Sequence, residues 1–135
     1  MAESGFSNKT ILVAINDVFF YTKIRDVLRN AGYRLETART VESVCEKAAQ
    51  SPAAVILNMN DDKLDAFRAL EQIRTTDCTK NVPVLAFANH EEIDTWRRAR
   101  ELGVTKIVSR NEFSARTRDL VDEMIAVGTQ PGRVS

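Results

Sequence analysis

Three carboxylates stand close behind apolar runs of the chain: Asp17 after Thr10–Ile15, and Asp61 and Asp62 after Ala53–Leu57. Hard oxygen ligands brought together in this way suit a divalent cation, and a carboxylate can also accept a phosphoryl group. A cation, Arg110, follows the fifth apolar run (Val104–Val108), where it can form a salt bridge to one of these acids or hold a small anion. The same run ends carry amides, Asn16, Asn58, Asn60 and Asn89, and the methyl group of Ala88. Asp61-Asp62 is also ordinary turn chemistry, so solvated loop acids are the simpler reading of that pair.

Other familiar constellations lack their members. His90 is the single histidine, which leaves metal clusters and Ser-His-Asp arrangements without partners. No Gly-rich loop follows the first apolar run, which argues against dinucleotide or P-loop binding. Cys45 and Cys78 form no C-x-x-C pair and read as reduced thiols inside or beside the core. No metal and no cofactor is expected.

The elements that must position these residues follow from periodicity. Thr10–Ile15, Ala53–Leu57, Pro83–Ala88 and Val104–Val108 are short and continuously apolar, the pattern of strands buried on both faces; Arg34–Thr37 is a weaker strand. Between them apolar residues recur at helical spacing. Phe20, Ile24, Val27, Leu28 and Ala31 precede Gly32, a natural C′ residue. Thr40 can cap a helix with Val41, Val44, Cys45 and Ala48 inward, and Phe67, Leu70 and Ile73 line another. Asn89-His90-Glu91-Glu92 has capping-box spacing, which predicts a helix from there to Leu102 with Ile93, Ala99 and Leu102 on its apolar stripe and Trp96 near the edge. Ser114 can cap a last helix with Leu120, Val121, Met124 and Ile125 inward.

Strands alternating with amphipathic helices imply βαβ units, an α/β class and a parallel sheet covered on both faces. The 135 residues suit one domain, at 10–127, with a flexible arm at 1–9 and a flexible tail at 128–135 that cannot continue a helix. Lysine plus arginine equal aspartate plus glutamate at 19 each, so no global field recruits nucleic acid or an anionic membrane. No apolar run approaches the ~20 residues of a bilayer span. The N-terminus lacks the apolar middle of a secretory signal, and a cytoplasmic setting is expected. The functional crevice of such a sheet lies outside the carboxyl ends of its strands, where the residues named above collect.

From Thr10 to Val127 the chain resembles a response-regulator receiver domain, the CheY-like module of two-component signalling. The resemblance is carried by ILVAIND at the first strand, VILNMNDDKLDA at the third, VPVLAFAN at the fourth and ELGVTKIVSRNEFS at the fifth. It implies a three-layer, doubly wound (βα)5 flavodoxin-like fold with a five-stranded parallel sheet in the order 2-1-3-4-5. Receivers carry an acidic pair, a phosphoacceptor aspartate, a Ser or Thr, and a Lys at successive strand ends. Here the acidic pair falls on Ile15 and Asn16, the phosphoacceptor position on Asn58, the hydroxyl on Ala88 and the Lys on Arg110; Ile107 takes the aromatic switch position. A one-residue slip of the first strand would instead set Asn16-Asp17 at the pair.

An amide has no nucleophilic oxygen comparable to a carboxylate, so no acyl phosphate can form at Asn58. The expected protein is therefore a pseudo-receiver, not an enzyme, that signals through protein contacts. The resemblance implies a signalling kinase, an output domain or a second receiver as partner, with a homodimer through the fourth-helix, fifth-strand and fifth-helix face as one form. Trp96, Arg97, Arg100 and Ile107 are the candidate interaction surface; the basic run lacks a recognition-helix motif, which argues against DNA. Two alternatives remain at this point: a phosphoacceptor using Asp17, Asp61 or Asp62, and a small-anion module using Arg110.

Overall fold

The computed structural model describes residues 9–129. Eleven elements follow in order: β1 (Thr10–Ala14), α1 (Val18–Asn30), β2 (Arg34–Thr37), α2 (Val41–Ala48), β3 (Ala54–Asn58), α3 (Ala66–Thr75), β4 (Val84–Ala88), α4 (Ile93–Glu101), β5 (Lys106–Ser109), α5 (Arg110–Ala115) and α6 (Thr117–Thr129). The strands form one sheet in the order β2-β1-β3-β4-β5, and every pairing is parallel. This is the doubly wound α/β architecture that the alternating periodicity implies.

β1, β3 and β4 are buried along their whole length, which is why they read as continuous apolar runs. Their side chains still alternate between two cores. Leu12, Ala14, Val55, Leu57, Val84 and Ala86 pack on the side of α2, α3 and α4. Ile11, Val13, Ile56, Leu85 and Phe87 pack against α1, α5 and α6. The register sets Ala14 beside Leu57 and Asn58 beside Phe87, so β1, β3 and β4 end at one level and deliver their following loops to a single edge.

Local chemistry explains most element ends. Asp17 caps α1 by accepting the Phe20 N–H at 3.1 Å, and Gly32 takes φ +95° just past its end. Thr40 caps α2 by accepting the Ser43 N–H at 3.0 Å.

Several boundaries differ from expectation. The capping box at Asn89–Glu92 does not form: those residues make a turn, α4 starts at Ile93, and His90 lies in the turn rather than in a helix. The Glu92 carboxylate is instead engaged by Asn60 and Thr95. β5 starts at Lys106 because Val104 still belongs to the turn closing α4, its N–H bonded to the Ala99 carbonyl. Ser114 does not cap the last helix. Ser109 caps the short α5 by accepting the Glu112 N–H, and the Ser114 hydroxyl accepts a hydrogen bond from Lys23. A separate helix, α6, then begins at Thr117.

α6 also continues through Gly128 to Thr129, two residues into the expected tail. The rest of that tail, and residues 1–8 of the expected arm at 1–9, lie outside the described residues. Cys45 is half-buried beside the core, but Cys78 is exposed, and both thiols are free. Among the described residues no helix is long and apolar enough to cross a membrane.

Candidate functional site

The loops after β1, β3 and β5 enclose a cleft of about 330 Å³ lined by Asn16, Asp17, Asn58, Asn60, Asp61, Asp62, Lys63 and Arg110. One of its lining residues, Arg110, rests on an aromatic cluster. Phe87 of β4 stacks on Phe113 of α5 with ring centroids 4.7 Å apart, and Phe20 of α1 meets Phe87 edge-on at 5.2 Å. The Arg110 guanidinium lies 4.2 Å from the centre of the Phe20 ring, and its Nη2 donates to Asp17 Oδ2 at 3.0 Å. The expected salt bridge between Arg110 and a rim carboxylate is therefore present. Asp17 thus caps α1 with one oxygen and pairs Arg110 with the other. The Phe20 N–H first, and Arg110 second, hold its carboxyl below the usual range.

Asn16, Asn58, Asn60 and Asp61 hold one another in the cleft. Asn58 is 6% exposed, and its Oδ1 accepts the Asn60 N–H at 2.9 Å. Asp61 draws in the β1–α1 loop: its Oδ2 accepts the Asn16 N–H at 3.1 Å, and both carboxylate oxygens take the Asn16 amide at 3.2 Å. Asp61 Oδ1 also accepts the N–H groups of Lys63 and Leu64, at 2.8 and 3.0 Å. Asp62 is exposed and accepts no hydrogen bond within the described residues.

Two expected pocket residues stay outside the cleft. Ile15 is 5% exposed and packs with Ile11 and Val13 in the α1–α6 core, and Ala88 is 1% exposed in the opposite core with no hydroxyl to offer. Lys63, which the residue pattern did not single out, also lines the cleft, and Asn60, placed at this edge without a role, takes part in its bonding.

These donors do not fit Mg²⁺. The positions nearest the floor are the amides of Asn16 and Asn58, Asp17 is neutralised by Arg110, and Asp61 is already saturated by N–H donors. No group of three or more His, Cys, Asp or Glu side chains that could hold a metal occurs among the described residues.

A second concavity, of about 540 Å³, runs along α4 and is lined by His90, Ile93, Trp96, Arg97, Arg100 and Glu101. Ile93 is 71% exposed rather than turned inward with Ala99. The Trp96 ring is half-buried against the core, and its indole N–H donates to the Asn89 carbonyl at 3.0 Å. Arg100 lies 5.5 Å from the Trp96 ring centre and pairs with no carboxylate among the described residues, whereas Arg97 bonds Asp94 at 2.7 Å. Ile107 does not belong to this surface. It is 8% exposed, because the alternation of β5 turns it into the core beneath α4.

No protein-family model matches the chain, and no curated protein matches it either. Solved structures do. The receiver domain of the sensor histidine kinase PA1611 from Pseudomonas aeruginosa, solved with a magnesium ion in its active-site cleft, is 18% identical with a TM-score of 0.77; the match covers 89% of this chain and 99% of that one. NtrX from Brucella abortus is 19% identical, also at 0.77, over 88% of this chain, which spans 27% of the NtrX chain. The phosphorylated cyanobacterial phytochrome response regulator RcpA is 18% identical at 0.73, over 94% and 98% of the two chains. The chain therefore has the fold of response-regulator receiver domains.

Proposed function

We propose that this chain is a pseudo-receiver, a signal-transduction module that acts through protein contacts and takes up no phosphoryl group at the end of β3. One observation carries the reading: Asn58, an amide, occupies the floor of the cleft and is already bonded to the Asn60 N–H. A phosphoacceptor must present a carboxylate oxygen there as the nucleophile. The supporting groups are altered in the same direction, since the cleft offers a poor Mg²⁺ site and Ala88 brings no hydroxyl to hold a phosphoryl oxygen. In this reading the domain is not an enzyme.

The partner is a protein, of the kinase, output-domain or second-receiver kind, and the α4 groove is the favoured contact surface. Exposed Ile93 beside Trp96 offers an apolar seat, and Arg100, over the Trp96 ring and without a carboxylate partner among the described residues, offers a cation at its edge. A partner segment with an apolar side chain flanked by a carboxylate fits that chemistry.

Intact-mass measurement after incubation with acetyl phosphate and Mg²⁺ tests the proposal. The expected result is an unmodified mass. A single phosphoryl adduct that survives in Asn58→Ala would place acceptance on Asp17, Asp61 or Asp62 and overturn the reading.

A further inference from the structure

We infer that this chain self-associates head to tail, with Val18 and Phe19 of one copy seated in the α4 groove of the next. Among the described residues three large apolar side chains stand mostly in water: Val18 at 60%, Phe19 at 90% and Ile93 at 71% exposed. They fall into two kinds. Val18 and Phe19 open α1 and project from it, whereas Ile93 lines the concavity of about 540 Å³ together with Trp96. The molecule thus carries both an apolar knob and an apolar hole.

A chain cannot fill its own groove. α1 packs on one face of the sheet through Ile24 and Leu28, and α4 packs on the other through Ala99 and Trp96. The knob and the hole therefore lie on opposite sides of the sheet, and a second copy is needed to bring them together. Charge is matched as well. The cleft rim that leads into the knob carries Asp62 and Lys63, and the groove carries Arg100 and Glu101. None of these four has an ion-pair partner among the described residues, whereas Arg97 is taken by Asp94 and Asp17 by Arg110. Each surface offers the other one open charge of each sign.

Because the two patches differ, the contact is heterologous. Every copy that docks leaves one knob or one groove open, and growth continues unless a ring closes. One apolar seat with exposed ion pairs around it makes a small contact, so assembly is expected only above about 100 µM, and the dilute chain is a monomer with Ile93 in water. The inference deepens the pseudo-receiver reading by naming a second copy of this chain as a partner, and it rests on that reading for the groove as the contact surface.

Sedimentation equilibrium of the whole chain tests it. The average mass of the wild type is expected to rise past that of a dimer between about 10 µM and 1 mM. Phe19→Asp and Ile93→Asp are each expected to stay monomeric over that range. Mixed in equal amounts they are expected to form a dimer and nothing larger, since the first keeps its groove, the second keeps its knob, and the pair leaves neither open. Both positions are mostly in water, so the dilute variants should unfold in urea as the wild type does, and a monomeric mixture then counts against the contact rather than the fold. A wild type that stays monomeric or levels off at the dimer overturns the inference. So does a Phe19→Asp chain that associates as the wild type does, the result for a symmetric contact between two grooves. Phosphoryl uptake plays no part in these masses. A phosphoryl adduct overturns the pseudo-receiver reading, and an unmodified chain that stays monomeric overturns the assembly alone.

Discussion

The cleft and the α4 groove are neighbours on the molecule, yet they dispose of their polar groups in opposite ways. In the cleft, Asp61 is spent on Asn16, Lys63 and Leu64, Asp17 on Phe20 and Arg110, and Asn58 on Asn60. In the groove, Arg100 has no carboxylate partner among the described residues and Ile93 stands 71% exposed. A region whose hydrogen-bonding capacity is consumed internally holds loops in place. A region that leaves an apolar side chain and a cation open is suited to meet something else. In the pseudo-receiver reading, that difference separates the structural part of this domain from the part proposed for recognition.

The largest expected effect that sharpens this contrast is at Asp61. Asp61→Ala deprives the Asn16, Lys63 and Leu64 N–H groups of their acceptor, and charged acceptors make the stronger hydrogen bonds. The expected loss is about 1–3 kcal/mol in urea unfolding. A loss under ~0.5 kcal/mol, the range of ordinary surface changes, would mean that water replaces Asp61 freely and that the cleft is not internally built.

A smaller effect is expected at Asp17. Asp17→Asn keeps a good N-cap acceptor for α1 and removes the charge that pairs Arg110. Both side chains are about two-fifths exposed, at 39% and 42%, so solvent screens the pair and the expected cost is about 0.2–1 kcal/mol. The sign with pH follows from the direction of the shift. The folded-state pKa of Asp17 lies below its unfolded value, so the contribution is present above pH ~4 and is lost as pH falls through the folded value. Paired unfolding curves of wild type and Asp17→Asn should converge in acid and in high salt. Curves that stay apart under both conditions would show that the cap, not the ion pair, sets the difference.

How much of this was legible from residues alone depends on the kind of information each feature needs. The sheet was legible because burial on both faces leaves β1, β3 and β4 as unbroken apolar runs. The resemblance brought Asn16, Asn58 and Arg110 to one edge, and the pairing of Arg110 with a rim acid could be foreseen from charge. The bonds of Asp61 and Asn60 could not, since they depend on how two loops face each other, and periodicity carries no information about loops. The same limit misplaced the start of α4: Asn89–Glu92 has the residues of a capping box, but Asn60, 32 residues away in sequence, claims Glu92. Ile107 was misread for a different reason. The resemblance set Ile107 on the interaction surface, but the strand's alternation, which decides whether a residue faces water, had to be seen in the sheet.

The smallest stability effect is expected in the groove, and it tests the contrast from the other side. With 71% of Ile93 in water, truncation removes little buried surface, so Ile93→Ala should change urea stability by no more than about 0.5 kcal/mol. Trp96 should keep its indole bond to Asn89, because Ile93 supplies neither partner. A loss above ~1 kcal/mol would mean that Ile93 is covered in solution. Stability that also depended on protein concentration would identify the cover as a second copy of the chain, since an association that binds only the folded state stabilises by mass action. A loss independent of concentration would instead fold the groove into the domain's own packing, and the distinction between a self-contained cleft and an open recognition face would fail at Ile93.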